Sequence, residues 1–302
     1  MTWNAATGRN RVRWALGEDR PLVSIIIPTR DGRSLIRCLD SVRRQTTYGN
    51  YEILVVDNGS RTAPILDYLQ AQESVITVIR DEQPFNYSAL NNVAAEQARG
   101  ELVLLLNDDV EVMGGDWLEE MVTQVLRPGV GIVGAKLNYP NGTVQHAGVT
   151  LGIYGVAGHL HRGVDRFDLG YFGDLALARQ VSAVTEACML VRRKVWDDLG
   201  GLDARDLAVA FNDIDFCLRA VEAGWAVIWT PSAELIHHES ISRGPDDVGP
   251  RADEFRREVE FMMRRWAHVL RCDPAYNPNL TPMGEHATLA WPPRVSYIHD
   301  VR

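Results

Sequence analysis

The sequence lacks the features that mark membrane-spanning, disulfide-stabilised or nucleic-acid-binding proteins. Its longest apolar runs, such as residues 23–27 and 102–106, are far too short to cross a bilayer. The four cysteines lie far apart and form no C-x-x-C pair, so we expect reduced thiols and no disulfide framework. The formal net charge of -9 argues against a nucleic-acid backbone as the main partner, because binding to phosphates needs a basic face.

Several sequence motifs are absent as well. There is no P-loop lysine, no G-x-S-x-G, no H-E-x-x-H and no cysteine zinc site. Residues 129–134 match G-x-G-x-x-G, but they follow a predicted helix and lead into a predicted strand, the reverse of a dinucleotide-binding motif. The first twenty residues carry no apolar run of signal-peptide type, so we expect a cytoplasmic location.

What the chain does contain is a regular alternation of strands and helices from Pro21 onward. Its 302 residues are 46% hydrophobic and 24% charged, which suits a soluble protein with one large α/β domain or two closely packed halves. The predicted strands are 22–27, 51–56, 75–80 and 101–106, and the predicted helices between them are 34–44, 63–72 and 88–98. This order predicts an α/β fold with a mostly parallel sheet and helices on both faces.

The second part of the chain is less regular. Its predicted helices are 116–126, 213–223 and 251–270, its predicted strands are 130–137 and 226–236, and residues 141–173 are rich in glycine and contain histidines. The helix at 251–270 is amphipathic, and we expect it to dock on the core of the domain rather than on a membrane surface.

Polar residues follow the predicted strands of the first part. The segments are 28–31, 57–60, 85–87 and 107–109. Any one of them has the composition of an ordinary turn or helix cap. Because the carboxyl ends of parallel strands meet at one edge of a sheet, together they predict a ligand site there.

The acidic segment Asn107, Asp108 and Asp109 is the clearest candidate. It directly follows the apolar residues 102–106. Adjacent carboxylates repel each other unless a cation is present, and carboxylate oxygens suit Mg²⁺ or Mn²⁺. A solvated turn explains the segment about equally well when it is taken alone.

Later acids and histidines extend this site. Asp213 and Asp215 lie at the start of a predicted helix, where the helix dipole favours acids, but one of them is also a candidate general base. His237 follows the strand that ends at Ile236 and is a candidate metal ligand.

Taken together, these residues resemble the inverting family 2 glycosyltransferases of the GT-A fold. The matching stretches are VSIIIPTRDG, YEILVVDNGS, FNYSALNN, RGELVLLLNDDVEV, ACMLVRR, FNDIDFCLRAVEAGW and AELIHHESISRG. The resemblance runs from about Pro21 to at least Gly244. It is strongest to glycosyltransferase modules of bacterial O-antigen and surface-polysaccharide assembly, which are often fused to further modules.

The resemblance implies roles for individual residues. Asp213 would be the catalytic base, and Asp109 and His237 would bind Mn²⁺ or Mg²⁺, with the choice between His237 and His238 left open. Nucleotide-sugar binding would fall to Pro28, Thr29, Arg30, Asp57, Asn58, Ser60, Asn86, Asn91, Asn107 and Asp108. The acceptor side would include His146, Glu186, Arg192 and Asp215.

The resemblance also implies an organisation and partners for the chain. The implied parts are an N-terminal tail (1–20), a nucleotide-sugar-binding half (21–112), an acceptor-binding and catalytic half of the same domain (113–245), and a C-terminal helix and tail (246–302). The implied partners are a nucleotide-diphosphate sugar and a glycan or lipid-linked glycan acceptor, with contact to the inner face of the plasma membrane or to other glycosyltransferase modules left open.

Two departures from the family pattern keep other functions open. Asn107 replaces the first aspartate of the D-x-D element, and Asn212 replaces a glutamate before Asp213. A non-catalytic binding or scaffold module with the same fold is therefore one alternative. A sugar-nucleotide pyrophosphorylase is the other, but it would carry a glycine-rich phosphate loop with a lysine after the first strand, where Pro28–Asp31 stands instead.

Overall fold

The structure, a computed structural model, describes residues 2–4, 8–18, 20–32, 34–238 and 251–294. Two short antiparallel strands, β1 (Thr2–Asn4) and β2 (Arg9–Arg11), precede the main fold. Arg11 and Arg13 each lie 2.7 Å from the carboxylate of the buried residue Glu120. These ion pairs attach the segment around β2 to the domain.

The first part of the domain follows the predicted alternation. Its elements are β3 (Val23–Thr29), α1 (Ser34–Gln45), β4 (Tyr51–Asp57), α2 (Ala63–Gln72), β5 (Thr77–Arg80), α3 (Tyr87–Gln97), β6 (Leu102–Leu106), β7 (Val110–Val112) and α4 (Trp117–Val125). Among them, the sequence failed to predict only the short strand β7.

The second part contains more short strands than the sequence predicted. Its elements are β8 (Val130–Asn138), β9 (Val144–His146), β10 (Val149–Leu151), β11 (Ala157–His159), β12 (Arg179–Gln180), β13 (Cys188–Arg192), α5 (Arg193–Leu199), α6 (Asn212–Glu222), β14 (Ala226–His237) and α7 (Ala252–Leu270). The glycine-rich stretch supplies β9, β10 and β11, whose three-residue lengths are below what periodicity can detect.

Within the described residues, ten strands form one sheet. The order is β12-β14-β8-β13-β6-β3-β4-β5, with β7 paired to β14 and β9 to β8. β3 is parallel to β4 and β6, β4 to β5, and β8 to β14, whereas β13 is antiparallel to both β6 and β8. The predicted α/β fold is confirmed, and the carboxyl ends of β3, β4, β6, β8 and β14 share one edge with the start of β13.

Both faces of the sheet are covered. Along β3, Ile26 belongs to one apolar cluster while Ile25 and Ile27 belong to another on the opposite face, as the period of two in a strand requires. Two covered faces explain why every residue of this strand is buried and why apolar residues do not alternate with exposed polar ones.

The C-terminal helix α7 packs on the domain, as predicted. Met262, Trp266 and Leu270, spaced at four residues, are at most 4% exposed and join the core. The Glu258 carboxylate accepts backbone hydrogen bonds from Val209 and Ala210, at 2.9 and 3.2 Å, just ahead of α6. No helix among the described residues is both long enough and apolar enough to span a membrane.

Candidate active site

The acidic segment emerges from β6 at the shared edge of the sheet. Asp108 Oδ2 accepts a hydrogen bond from the Thr29 hydroxyl at the end of β3, at 2.6 Å. Burial, helped by the charge of Asp109, raises the pKa of Asp108 to about 6 against the opposing effects of the Thr29 hydrogen bond and of His237. A Cβ atom on Gly32 would lie only 2.3 Å from Asp108 Oδ2, so the loop after β3 needs glycine at this point.

Asp109 faces His237 at the end of β14. Asp109 Oδ1 lies 3.0 Å from His237 Nε2, and Gln145 Oε1 lies 2.7 Å from His237 Nδ1. His238 instead contacts Glu111 at 3.0 Å and Arg37. The geometry therefore places His237, and not His238, opposite the acidic segment.

This pair fits a divalent cation. One carboxylate oxygen and one imidazole nitrogen suit Mn²⁺, and Mg²⁺ commonly takes only one or two protein ligands, with phosphate and water filling the remainder. In the described part of the chain, no three histidine, cysteine, aspartate or glutamate residues cluster as metal ligands would. A cation here would thus take two protein ligands and leave room for a phosphate.

Asp213 lies in the first turn of α6. Its Oδ1 accepts from the backbone N–H of Ile214 at 2.7 Å, and its Oδ2 accepts from the backbone N–H of Glu186 at 3.3 Å. Burial raises the pKa of Asp213 to about 6, although these hydrogen bonds and one from Thr185 oppose the shift. Asp213 and Glu186 are therefore neighbours, and the carboxyl group of Asp213 is a stronger base than an ordinary aspartate.

Tyr87 contacts the acidic segment, a role that the sequence did not reveal. Its hydroxyl donates to Asn107 Oδ1 at 2.8 Å. Its pKa is raised well above the ordinary value, by burial first and then by the charges of Glu186, Asp213 and Asp108. A phenol directly after Asn86 was the only signal in the sequence.

The contacts of Asn212 account for an amide where the family pattern has a glutamate. It is fully buried, and its amide donates to the Ser88 hydroxyl at 2.9 Å while its Oδ1 accepts from the backbone N–H of Asp213 at 2.7 Å. An amide at this position therefore fixes the start of α6 against α3.

The remaining residues predicted to bind the nucleotide sugar lie around the ends of β3 and β4 and on α3. Asp57 Oδ1 accepts from the Ser60 backbone N–H at 2.9 Å, and its Oδ2 forms an ion pair with Arg80. Asn58 Oδ1 is buried, and no described residue hydrogen-bonds to it. Pro28 lies within β3, and Arg30 is exposed just beyond it. These side chains form one polar group at the predicted edge.

Asn86 and Asn91 have structural contacts on α3. Asn86 is the N-cap of α3, since its Oδ1 accepts from the Ala89 backbone N–H at 2.8 Å, and its amide donates to the Ala204 carbonyl. Asn91 donates to the Tyr87 carbonyl at 2.9 Å, while its Oδ1 is buried with no hydrogen-bond partner in the described structure.

Two predicted acceptor-side residues lie elsewhere, which corrects their assignment. Arg192 pairs with Leu102 at the opposite edge of the sheet and donates to the Val130 carbonyl at 2.6 Å, because β13 runs antiparallel to β6. Asp215 is fully buried between Arg219, at 2.7 Å, and Trp266 Nε1, at 2.9 Å. Both residues serve the fold.

His146 lies beside the predicted metal pair, in the interior. It is 1% exposed, and its Nδ1 lies 2.9 Å from His159 Nδ1. Burial lowers its pKa well below the ordinary value, and the charges of His159, Arg179 and His237 act in the same direction. The part of the AELIHHESISRG stretch from Glu239 onward lies outside the described residues, as do the last residues of the predicted tail, 295–302.

Comparison with known proteins identifies the family. The model described as glycosyl transferase family 2 matches residues 24–200. The uncharacterized protein y4gI of Sinorhizobium fredii is 52% identical over 89% of this chain and 30% of its own length. The O-antigen biosynthesis protein RfbC of Myxococcus xanthus is 42% identical over 90% of this chain and 21% of its own length. The chain thus spans less than a third of either relative.

A solved structure supports the fold. The mannosyltransferase PcManGT of Pyrobaculum calidifontis, in complex with GDP-Man and Mn²⁺, superposes with a TM-score of 0.59 at 18% identity, over 88% of this chain and 70% of its own. At this identity the likeness confirms the GT-A type of fold and nothing finer. The family match covers more than half of the sequence and agrees with the motifs, so the chain belongs to glycosyl transferase family 2.

Proposed function

We propose that this protein is a metal-dependent inverting glycosyltransferase of bacterial surface-polysaccharide synthesis. It moves the sugar of a nucleotide-diphosphate sugar to a hydroxyl group of a glycan or lipid-linked glycan. The observation that carries the proposal is that Asp213, with a pKa raised to about 6, and the Asp109–His237 pair lie on the same side of the sheet, where the pKa of Tyr87 responds to the charges of both Asp213 and Asp108.

Asp213 acts as the general base in this proposal. It takes the proton of the acceptor hydroxyl while that oxygen attacks the anomeric carbon of the donor. A pKa of about 6 leaves Asp213 ionised at neutral pH yet more basic than an ordinary aspartate, which favours proton transfer. A single displacement from the side opposite the leaving group inverts the anomeric configuration.

The donor lies on the side of residues 21–112. Asp109 and His237 would hold Mn²⁺ or Mg²⁺, which when bound offsets the negative charge of the departing diphosphate. Asp108 is held by Thr29 on the same side, and the polar group at Asp57 and Asn58 lies one strand further along, where a nucleoside would bind. The residues between 113 and 245, including Glu186 and His146, form the acceptor side.

The cellular setting belongs to the proposal as well. The similarity to an O-antigen biosynthesis protein supports a cytoplasmic glycan acceptor at the inner face of the plasma membrane. Because both relatives are more than three times as long as the matched region, we propose that this module works beside other glycosyltransferase modules.

A thermal-shift experiment tests the donor site. UDP, TDP, GDP and CDP are each added with and without Mn²⁺, since a ligand that binds only the folded state raises the melting temperature. We expect one diphosphate to stabilise the protein only with Mn²⁺, by about 3 kcal/mol when its concentration is about 100 times Kd. Asp109→Ala should abolish this shift, whereas Asp67→Ala, on the exposed surface of α2, should keep it.

The outcomes separate the proposal from its main rival. A stabilising diphosphate together with measurable sugar transfer supports the transferase. If a diphosphate and Mn²⁺ bind but no sugar is transferred to any glycan or to water, the non-catalytic module becomes the better hypothesis. If no diphosphate binds under any metal condition, the donor site described above is wrong.

A further inference from the structure

Gln145 holds the imidazole of His237 from the side opposite Asp109. Gln145 is 4% exposed, and its Oε1 lies 2.7 Å from His237 Nδ1. An amide oxygen only accepts hydrogen bonds, so Nδ1 carries the proton and donates it. Nε2 is then the nitrogen left to bind a cation, and it lies 3.0 Å from Asp109 Oδ1.

The backbone around Gln145 supports a positioning role independently. In the antiparallel pair of β8 and β9, Leu137 lies opposite His146 and Asn138 lies opposite Val144. Gln145 is therefore an extra residue with no partner across the ladder, which is a β-bulge. Bulges interrupt the ladder and redirect a side chain, and they occur frequently next to active sites.

The bulge directs Gln145 toward the end of β14. Asn138 at the end of β8 pairs with Ile236 of β14, and His237 is the next residue. In a regular strand, residue 145 would pair with Leu137 or Asn138 of β8. In the bulge it has no such partner, and its side chain extends past the end of β8 to His237. The side chain of the bulge residue thus contacts the ring directly.

From this geometry we propose that Gln145 is a positioning residue that makes His237 a metal ligand. The proposal rests on the metal-dependent function above. Gln145 fixes the tautomer and the plane of the imidazole, so that Nε2 and Asp109 Oδ1 are both available as ligand atoms for one cation. Such outer partners of a ligating histidine typically change metal affinity by about 10–100-fold when they are replaced.

Mn²⁺ titration of the purified protein tests this role. Free Mn²⁺ is followed by its electron paramagnetic resonance signal in the wild type and in Gln145→Leu, Gln145→Glu and Gln124→Leu. We expect Gln145→Leu to bind Mn²⁺ about 10–100-fold more weakly and Gln145→Glu, which keeps an acceptor oxygen, to retain the affinity. Gln124→Leu is the matched control, because Gln124 is also buried but bonds to Arg127 near the opposite edge of the sheet.

The spectrum of the bound ion separates positioning from a general structural effect. A nitrogen ligand gives ¹⁴N modulation in electron spin echo experiments on bound Mn²⁺. We expect this modulation in the wild type and Gln145→Glu, and its loss in Gln145→Leu and in His237→Ala at Mn²⁺ concentrations that fill the site. If Gln145→Leu does not fold, Gln145→Asn, whose shorter side chain cannot reach His237, takes its place.

The results distinguish this inference from the proposed function. If the wild type binds Mn²⁺ with a nitrogen ligand and Gln145→Leu behaves identically, Gln145 is not a positioning residue, while the transferase proposal stands. If the wild type binds no Mn²⁺ with or without the nucleoside diphosphates, both fail. Loss of the nitrogen signal in Gln145→Leu with rescue in Gln145→Glu supports the positioning role even in a protein that transfers no sugar.

Discussion

The two acids at the start of α6 lie in regions that accommodate a buried carboxylate in opposite ways. In the active-site region, Asp213 is held by backbone N–H groups and its pKa is raised to about 6. At the interface between α6 and α7, Asp215 is fully buried with Arg219 at 2.7 Å and Arg265 at 3.4 Å. The first carboxylate is prepared to receive a proton, and the second is paired with two arginines.

The difference shows how to separate catalytic from structural acids. A buried carboxylate paired with arginine stabilises a fixed arrangement only as long as both partners remain. A buried carboxylate whose pKa is raised, despite its hydrogen-bond donors, lowers the stability of the folded protein when it is ionised. Such a carboxylate beside the ligand-binding edge of a sheet indicates a functional site. Matched substitutions at positions 213 and 215 test this comparison directly.

The largest effect is expected from Asp213→Asn on turnover. The amide keeps the shape of the side chain but cannot accept the acceptor's proton, and general-base catalysis commonly contributes about 10²–10⁴-fold. Sugar transfer measured with a saturating donor should fall by that factor, while the Mn²⁺-dependent nucleotide shift remains. Unchanged turnover would remove Asp213 from the mechanism.

The same substitution at Asp215 should act on stability instead. Asp215→Asn leaves Arg219 without its buried partner, and breaking a buried ion pair from one side costs about 3–5 kcal/mol. Because Arg265 is partly exposed, we expect about 3 kcal/mol in the free energy of unfolding by urea, with turnover per folded molecule nearly unchanged. Equal losses of turnover in both variants would contradict the distinction between a catalytic Asp213 and a structural Asp215.

The smallest effect is the pH dependence of stability at Asp213. The pKa of this group is about 6 in the folded protein, against an ordinary value of 3.8. The folded state therefore holds the proton more tightly, and stability is lost as the pH rises from about 4 through about 6. Relative to Asp213→Asn, the wild type should lose about 2 kcal/mol across this interval in metal-free buffer, as urea unfolding at several pH values would measure. A constant difference between the two proteins would mean that the pKa of Asp213 is ordinary.

The parallel part of the fold was predictable because its signals are local. The strands β3, β4 and β6 each contain a short apolar run followed by polar residues, so both the strand and its contribution to the site could be inferred. That rule fails for β13. This strand is reversed, so its last residue, Arg192, lies at the far edge, while Glu186, before the strand, lies at the site.

Other errors have equally specific causes. Residues two apart on a helix point in different directions, so Asp213 and Asp215 could not both face the same site, and the sequence alone could have excluded this. Gln145 and Tyr87 were not predicted because their roles depend on a bulge and on a contact between distant segments. No sequence pattern indicates either arrangement.

The attachment of α7 to α6 has a consequence for where this module can be divided. The family match ends at residue 200, ahead of Asp213, and the predicted ligands all precede residue 238. Yet the segment that places Asp213 is held by Glu258, Arg265 and Trp266 of α7. A fragment cut after residue 245 would keep every predicted ligand but would lose the contacts that support Asp213, the proposed base. The smallest fragment that could carry the proposed transferase activity therefore includes α7.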